Sequence, residues 1–196
     1  FTYLLRYMYS YSYILLSYRD LVLSMKNDTY YFHQTPELLC RDIISNIAFE
    51  PDDIVLEPFA GENHFFKNFP EDITKYRCEI EDGLDFKDFD YEGIRPTTII
   101  SNPPFRLETE NGRINAFFDI LVFFSKMSFI KNIYFLCNDY CVGTLTPKRM
   151  TKLNEQGLFI TKKTTISVKK WRGRYYLLHF SRNHNPSFDY YLTNYD

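Results

Sequence analysis

Residues Asp52 to Phe65 read DDIVLEPFAGENHF, and this stretch decides the fold. Its run of branched apolar residues, Ile54 to Leu56, has the length and composition of a buried strand. Ala60 and Gly61 follow in a turn, where their lack of bulk lets the backbone come close to a ligand. In open α/β sheets, ligands bind beyond the carboxyl ends of the strands. The stretch therefore predicts an α/β sheet with a ligand site at this strand end, although turns with a single glycine also occur as plain structure.

Strands and helices alternate around this turn. Upstream, ELLCRDIISNIAF has the spacing of an amphipathic helix, with Thr35 as its cap and Pro36 at its first position. Downstream, helices are predicted in INAFFDILVFFSKMSF and in PKRMTKLNEQG, which Gly157 closes. Strands are predicted in TKYRCEI, TTIIS, NIYFLC, LFITKKTTISV and RYYLLHFS. This alternation is typical of a mostly parallel α/β sheet, with antiparallel pairing expected only for the last strands.

Length and cysteine usage limit the class of the protein. With 196 residues, 45% of them hydrophobic, the chain can bury the core of one domain. Its four cysteines show neither a disulfide framework nor the spacing of a zinc site. We therefore expect core thiols, no metal, and a reducing compartment such as the cytoplasm. We expect no membrane span, because charged residues interrupt the apolar run of residues 1–24.

The two ends of the chain differ from its middle. We interpret residues 1–24 as an extension of uncertain order, arising from upstream read-through or poor ordering; the alternative is a helix packed on the domain. Residues 25–196 are predicted to form a single domain with a basic C-terminal third. Residues 142–182 carry 10 basic and 1 acidic side chains, whereas residues 50–92 carry 4 basic and 14 acidic ones. Such a basic segment is typical of surfaces that bind phosphate backbones, although charge blocks also occur as solvated faces.

Four short motifs together carry a family resemblance. In chain order they are YFHQTP, EPFAG, CEI and SNPPF, within residues 31–105. In this pattern the chain resembles the S-adenosylmethionine-dependent methyltransferases that act on the N6 amine of adenine. The resemblance implies a Rossmann-like class I methyltransferase fold, which is a three-layer sandwich around a mostly parallel sheet. It also implies S-adenosylmethionine as the cofactor. Beyond residue 105 the resemblance rests only on the order of strands and helices.

The resemblance further implies which residues bind the cofactor. The segment Gln34–Pro36 and the turn Glu57–Gly61 are expected at its methionine end, and Glu79 at its ribose hydroxyls. Asp85 and Phe86 resemble the pair that contacts the adenine ring of the cofactor. The full set expected to bind it is Gln34, Thr35, Pro36, Glu57, Pro58, Phe59, Ala60, Gly61, Glu79, Ile80, Asp85, Phe86 and Asn102.

Two features depart from the family pattern. Asn63 stands where the family has a second turn glycine, and asparagine tolerates a left-handed backbone better than most residues. Only 16 residues separate Ile80 from Thr97, too few for the helix, strand and helix of the full fold. We therefore expect a sheet trimmed between its second and fourth strands, with Asp85 on a loop or a very short strand.

The segment Asn102-Pro103-Pro104-Phe105 is expected to be catalytic. The exocyclic amine of adenine is a weak nucleophile, because its lone pair is delocalised into the ring. The side-chain oxygen of Asn102 and the carbonyl of Pro103 are expected to accept its two hydrogens, which brings the nitrogen closer to tetrahedral geometry. The prolines keep the segment rigid, and Phe105 offers a face on which the base stacks. The alternative is a plain turn, since Asn-Pro also marks turns.

The target of this chemistry is predicted to be DNA, with the base unpaired or rotated out of the duplex. RNA or a protein glutamine is the first alternative. A degenerate methyltransferase fold that binds nucleic acid without turnover is the alternative of another class. The segment KKWRGRYY supplies the residues expected to bind nucleic acid, unless it is simply a core strand with its cations in water. These residues are Lys169, Lys170, Trp171, Arg172 and Arg174.

Two other features lie near the expected pocket. Residues 106–113, RLETENGR, are predicted to form a mobile lid over the target base or a disordered loop. His33 and His64 have no partner at metal-ligand spacing, so we interpret both as packing or hydrogen-bonding residues.

Overall fold

A computed structural model of the chain describes residues 34–105, 107–109, 112–169, 171–183 and 189–195. The predictions for residues 1–24, His33 and Lys170 lie outside these residues. The chain divides into two compact units, one with the described residues 34–105 and 115–195, the other with 107–109 and 112–114. The larger unit carries the sheet and every candidate site residue that is described.

The secondary structure alternates as the sequence predicts. The described strands are β1 (Ile54–Glu57), β2 (Thr74–Arg77), β3 (Thr98–Ser101), β4 (Leu107–Thr109), β5 (Gly112–Ile114), β6 (Asn132–Asn138), β7 (Phe159–Val168), β8 (Tyr175–Ser181) and β9 (Asp189–Tyr195). The described α-helices are α1 (Glu37–Ser45), α2 (Tyr91–Ile94), α3 (Ala116–Ser125), α4 (Asp139–Thr144) and α5 (Pro147–Glu155).

Seven of the described strands form one sheet in the order β2-β1-β3-β6-β8-β7-β9. The pairs β1–β2, β1–β3, β3–β6 and β7–β9 are parallel. Only β8 runs against its neighbours, with Asn138 of β6 opposite Tyr175 and Ile166 of β7 opposite the same residue. The mostly parallel sheet with an antiparallel final pair is therefore confirmed, and β9 is an element that the sequence analysis missed.

Helices cover both faces of the sheet. Phe135 and Leu136 are neighbours in β6 and point to opposite faces. Leu136 belongs to a buried cluster that includes Leu39 of α1. Phe135 instead contacts Phe117 and Phe124 of α3, with ring centroids 5.9 and 6.2 Å apart. This arrangement confirms the expected three-layer sandwich.

The sheet is trimmed where the sequence predicts it. In the described chain between β2 and β3 there are two 3₁₀ turns, Ile80–Asp82 and Phe86–Asp88, and the short helix α2, but no strand. As a result β2 lies at the edge of the sheet. Asp85 caps the second turn through a hydrogen bond from the Lys87 amide, so it lies on a loop, as expected.

The start of α1 corrects one expectation. Thr35 does not cap this helix, because Pro36 occupies the N-cap position and makes no side-chain cap there. The first helical hydrogen bond runs from the Cys40 amide to the Pro36 carbonyl, 3.0 Å. The hydroxyl of Thr35 is engaged elsewhere, by Asn102. Helix entry here depends on the fixed φ of proline rather than on a hydroxyl cap.

A buried aspartate joins the strands at their amino ends. Asp53 is 5% exposed and accepts hydrogen bonds from the Thr97 hydroxyl (2.6 Å) and the Glu50 amide (2.9 Å). The Thr97 oxygen in turn accepts from the Ile54 amide. The charge is therefore buried with partners, and it fixes the start of β1 against β3.

Arg182 closes the ends of two helices near the same edge. Its guanidinium donates to four backbone carbonyls at 2.5 to 2.9 Å, those of Ser125, Met127, Ile130 and Gln156. The carbonyls of Ser125 and Gln156 lie at the ends of α3 and α5, where helices leave acceptors without intrahelical partners, and those of Met127 and Ile130 lie in the loop after α3. This member of the basic C-terminal third is therefore structural.

The smaller unit contains one described hairpin. Strands β4 and β5 pair antiparallel, with Leu107 opposite Ile114 and Thr109 opposite Gly112. Arg106, Glu110 and Asn111 lie outside the described residues. The backbone of this segment is thus a two-stranded ladder, and its role as a lid stays a prediction.

Candidate functional site

The predicted site residues follow the carboxyl ends of neighbouring strands. Because β2, β1, β3 and β6 are parallel, the segments after them meet at one edge of the sheet. The turn from residue 58 follows β1, Glu79 follows β2, and Asn102 follows β3. The β7–β8 connection reaches the same edge, since Tyr175 lies opposite Asn138. We call this the carboxyl edge.

Glu57 ends β1 as a buried carboxyl. It is 1% exposed, and its Oε2 accepts a hydrogen bond from the Phe66 amide at 2.8 Å. Burial raises the pKa of Glu57 to about 9, against the opposing effects of the Phe66 amide and of the Arg77 charge. At neutral pH this side chain therefore holds its proton unless a positive charge comes beside it.

The turn after β1 is tied to the end of β2 by backbone hydrogen bonds. The Ala60 amide donates to the Cys78 carbonyl at 3.0 Å, which ties the turn to the end of β2. Gly61 and Asn63 both have left-handed φ values, 51° and 66°. Asn63 therefore adopts the left-handed backbone conformation that glycine reaches without strain. Its Oδ1 is buried and has no hydrogen-bond partner among the described residues.

Glu79 completes the turn from the neighbouring strand. Its Oε2 accepts from the Gly61 amide at 2.5 Å, and its Oε1 accepts from the Glu81 amide at 3.2 Å. Ile80 opens the 3₁₀ turn that follows. The carboxylate is thus anchored beside the glycine turn, and each oxygen keeps further acceptor capacity for hydroxyl groups.

Asp85 and Phe86 lie on the trimmed connection. Phe86 is 5% exposed and packs against Phe59 of the turn, with centroids 4.8 Å apart, and against Phe123 at 5.3 Å. Phe86 is therefore a core residue that packs on the turn through Phe59, and its contact with the adenine ring of the cofactor stays a prediction. The Asp85 carboxylate is half-buried and accepts from the Lys87 amide.

The NPPF segment is joined to the segment before α1. Asn102 Nδ2 donates to Thr35 Oγ1 at 3.2 Å, and Thr35 is itself 5% exposed. Because this bond uses the amide nitrogen, it fixes which way the planar amide faces, with its oxygen on the opposite side from Thr35. Pro103 is buried, and Phe105 is half-buried against the α1 face of the core. The four residues are therefore a rigid, supported segment.

His64 fastens the same segment to the turn. Its Nδ1 lies 2.7 Å from the Thr35 carbonyl, which only accepts, so Nδ1 carries the proton. Gln34 Nε2 lies 3.5 Å from this nitrogen, and because both nitrogens carry hydrogen the contact is not a hydrogen bond. The interpretation of His64 as a hydrogen-bonding residue is confirmed. Thr35 and His64, 29 positions apart in the chain, are thus joined by a hydrogen bond.

The predicted nucleic-acid segment is the connection between β7 and β8. Lys169, Arg172 and Arg174 are exposed, and Gly173 turns the chain with φ 91°. Trp171 is half-buried, packs on the core and contacts Tyr175 at 4.4 Å.

The tyrosines that follow are core residues. Tyr175 and Tyr176 are 4% and 5% exposed, so neither ring is open to a base. The alternative interpretation, a core strand, is confirmed for β8, but the strand is buried on both faces and does not alternate, since the adjacent Tyr175 and Tyr176 are both buried. The described cations of the connection, Lys169, Arg172 and Arg174, are exposed.

Sequence analysis missed one group at this edge. Asp139, directly after β6, accepts hydrogen bonds from the Tyr176 hydroxyl (2.7 Å) and from Arg174 Nε (3.1 Å). These contacts lower the pKa of Asp139, the Tyr176 bond most strongly. No local sequence pattern predicts these contacts, because Tyr176 and Arg174 lie 37 and 35 positions from Asp139 in the chain.

The cysteines of the described chain are core residues. All four cysteines are free and buried, as predicted for core thiols. No group of three or more potential metal-binding side chains occurs among the described residues. Within the same ranges, none of the helices has the length and apolar character needed to cross a bilayer.

Comparisons with known proteins support the fold. No protein-family model matches the sequence, and no curated protein matches it. Among solved structures, one similar chain is a Listeria monocytogenes protein assigned to the class I S-adenosylmethionine-dependent methyltransferases. It has 16% identity and a TM-score of 0.56, with 89% of this chain and 70% of that chain covered. Another is a Vibrio vulnificus protein assigned as the modification subunit of a type I restriction enzyme, with 16% identity and a TM-score of 0.57. The match covers 93% of this chain but only half, 50%, of that one. The chain thus has the Rossmann-like fold of the class I methyltransferases.

Proposed function

We propose that this protein transfers a methyl group from S-adenosylmethionine to the N6 amine of adenine in DNA. The observation that carries the proposal is the hydrogen bond from Asn102 to Thr35. It joins the segment proposed to hold the target amine to the segment proposed to hold the cofactor. One rigid unit then sets the distance between the two reacting groups, which is the main requirement of a direct transfer.

The residues at the carboxyl edge fit the cofactor. Its ribose hydroxyls are donors, and Glu79 is an anchored acceptor beside the glycine turn. Its ammonium and sulfonium groups are positive, and Glu57 is a buried carboxyl that lacks a compensating charge strong enough to ionise it. The buried Asn63 Oδ1 offers a further acceptor in the same turn. When bound, the cofactor supplies an electrophilic methyl carbon on sulfur.

The chain's own contribution to the reaction is positioning. Asn102 Oδ1 and the Pro103 carbonyl accept the two amine hydrogens, so the nitrogen lone pair turns out of the ring plane toward the methyl carbon. With the cofactor bound, transfer would form the N–C bond as the S–C bond breaks, and the amine would then lose one proton to water. The adjacent prolines hold the two acceptors at a fixed separation, and Phe105 supports the base from its half-buried position. No general base beyond these acceptors is needed.

Charge divides the carboxyl edge into two halves. The strands β1 and β2 and the connection after them lie in the acidic segment, residues 50–92, whereas the β7–β8 connection is basic. Because β3 and its NPPF segment lie between these halves, a polyanion approaches most favourably from the β8 side. The likeness to a restriction-modification subunit supports DNA as that polyanion.

A methyl-transfer assay with separate pools of DNA, RNA and protein tests the proposal. The chain is incubated with S-adenosylmethionine labelled in its methyl group and with DNA, RNA or protein, and the methylated product is identified. We expect N6-methyladenine in DNA. Label in RNA or in glutamine would move the proposal to that target, and cofactor binding without transfer to any pool would support a degenerate fold.

The variant Asn102→Ala tests the clamp itself. It removes one of two acceptors, so we expect transfer to fall at least about a hundredfold, with cofactor affinity within a few-fold of the parent chain. Asn154→Ala, at an exposed position of α5, is the control and should leave transfer unchanged. Full transfer by Asn102→Ala, with the fold intact by circular dichroism, would contradict the proposed role of NPPF.

A further inference from the structure

Asp139 and Arg174 form a built pair at the carboxyl edge. Both carboxylate oxygens of Asp139 are used, Oδ1 by the Tyr176 hydroxyl at 2.7 Å and Oδ2 by Arg174 Nε at 3.1 Å. A backbone bond from the Asp139 amide to the Arg174 carbonyl, 3.2 Å, fixes the two segments to each other. Tyr176 is 5% exposed, so the carboxylate is held from the core side by an ordered group.

This geometry leaves the two terminal guanidinium nitrogens of Arg174 facing solvent. The bond to Asp139 uses Nε, while the side chain of Arg174 is 74% exposed. The two terminal nitrogens of a guanidinium form a planar fork that matches two oxygens of a phosphate group. With Nε anchored, the fork is oriented before a ligand arrives, so less conformational freedom is lost on binding.

The position of the pair relates it to the NPPF segment. Asp139 directly follows β6, which is the neighbour of β3, and Arg174 directly precedes β8, the next strand along. Arg174 is therefore two strands from β3, about 10 Å across the sheet. At about 3.4 Å of helix axis for each nucleotide of one strand, that separation corresponds to about three nucleotides. Lys169 and Arg172, exposed on the same connection, extend the positive charge away from NPPF.

From this geometry we infer that Arg174 binds a backbone phosphate close to the target nucleotide, and that Asp139 and Tyr176 position it for this contact. The inference rests on the proposed function and names a residue that aligns the polynucleotide on the sheet edge. Asp139 is a positioning residue, because it acts through Arg174 and does not touch the nucleic acid. A run of several exposed cations on one connection fits a polyanion better than a single phosphorylated side chain.

Binding of an adenine-containing DNA duplex tests the inference, because the two explanations predict opposite changes in DNA affinity for Asp139→Asn. Asp139→Asn removes a negative charge beside the DNA, so simple electrostatics predicts tighter binding. Positioning predicts the opposite, because the charged hydrogen bond from Arg174 Nε is replaced at best by a weaker neutral one, so the fork is held less firmly. We expect binding to weaken several-fold for Asp139→Asn and about tenfold or more for Arg174→Gln, as for a lost charged hydrogen bond. The measurement is fluorescence anisotropy over a range of salt concentrations.

Two further variants separate geometry from charge. Arg174→Lys keeps the charge but lacks the fork, so it should restore little of the lost affinity. Arg172→Gln removes an equal charge from the same connection and should weaken binding less than Arg174→Gln. The slope of log affinity against log salt should fall by about 1 for Arg174→Gln. Thermal unfolding of each variant shows whether the domain is intact.

Specific outcomes would overturn the inference. Tighter or unchanged binding by Asp139→Asn would do so, as would equal losses for the two glutamine variants, full affinity for Arg174→Lys, or no binding of the duplex by the parent chain. Methyl transfer that is independent of Arg174 would overturn the inference and leave the proposed function standing. The expected binding pattern without transfer to any pool would overturn the proposed function alone.

Discussion

Replacing Glu57 with Gln tests how burial controls the carboxyl at the end of β1. Gln has nearly the same shape, and its side-chain oxygen can accept the hydrogen bond from the Phe66 amide that Glu57 accepts at 2.8 Å. The substitution therefore removes the titration while it keeps the packing of this 1% exposed position. A difference in the free energy of unfolding between the two chains that grows with pH then comes from the Glu57 carboxyl alone.

The size and sign of the effect follow from the pKa. Burial raises the pKa of Glu57 from 4.5 to about 9 in the folded chain. Between these two pKa values the folded chain holds a proton that the unfolded chain has released. Each pH unit in this range therefore lowers the free energy of unfolding by about 1.4 kcal/mol. The stability contributed by the neutral carboxyl is thus complete below pH 4.5 and is lost as pH rises toward 9. The loss amounts to about 3 kcal/mol at pH 7 and about 6 kcal/mol at pH 9.

Urea unfolding at several pH values measures this difference. Glu57→Gln and the parent chain should be about equally stable near pH 4.5, and the variant should become the more stable one as pH rises. Other titrating groups are common to both chains, so they cancel in the comparison. Two stability curves that run parallel from pH 5 to pH 9 would refute the argument, because they would mean that Glu57 ionises normally in the folded state.

Two further substitutions test the fold around the site. Arg182→Met should lower the free energy of unfolding by about 3 kcal/mol, because four backbone carbonyls at helix ends and in the loop after α3 lose their donor; a loss below about 0.5 kcal/mol in urea unfolding would show that water replaces the guanidinium at no cost. Asn63→Ala should destabilise by about 1 kcal/mol because φ is 66°, whereas Asn63→Gly should not; equal thermal midpoints for the two variants would contradict a strained turn. If Asn63 Oδ1 is an acceptor for the cofactor, both variants bind it more weakly in calorimetry.

Local patterns predicted the part of the fold that lies near the first turn. The branched run at 54–56 followed by Ala60 and Gly61 gave the first strand and its turn, because burial and backbone freedom act within a few residues. The spacing between Ile80 and Thr97 predicted the missing elements on length alone. A segment of fixed length can span only a fixed distance and hold a limited number of elements, whatever the order of the strands in the sheet.

Predictions failed where two distant segments compete for one side chain. Thr35 is a good helix cap in isolation, but its hydroxyl is bound by Asn102, 67 positions away. The segment KKWRGRYY left base stacking and a core strand open as interpretations, and the rings of Tyr175 and Tyr176 are buried because β8 is covered on both faces. In each case tertiary contacts outweighed the local preference.

By itself the sequence determined an α/β chain, a glycine turn at the end of its first strand, a shortened connection before the NPPF strand, and the division into acidic and basic segments. These features depend on residue size, branching, charge and chain length, which act over short distances. Only the tertiary structure decided that Asn102 is held by Thr35, that Glu57 is buried enough to keep its proton, and that Asp139 anchors Arg174. Such contacts depend on strand order and side-chain direction, which become defined only when the sheet assembles.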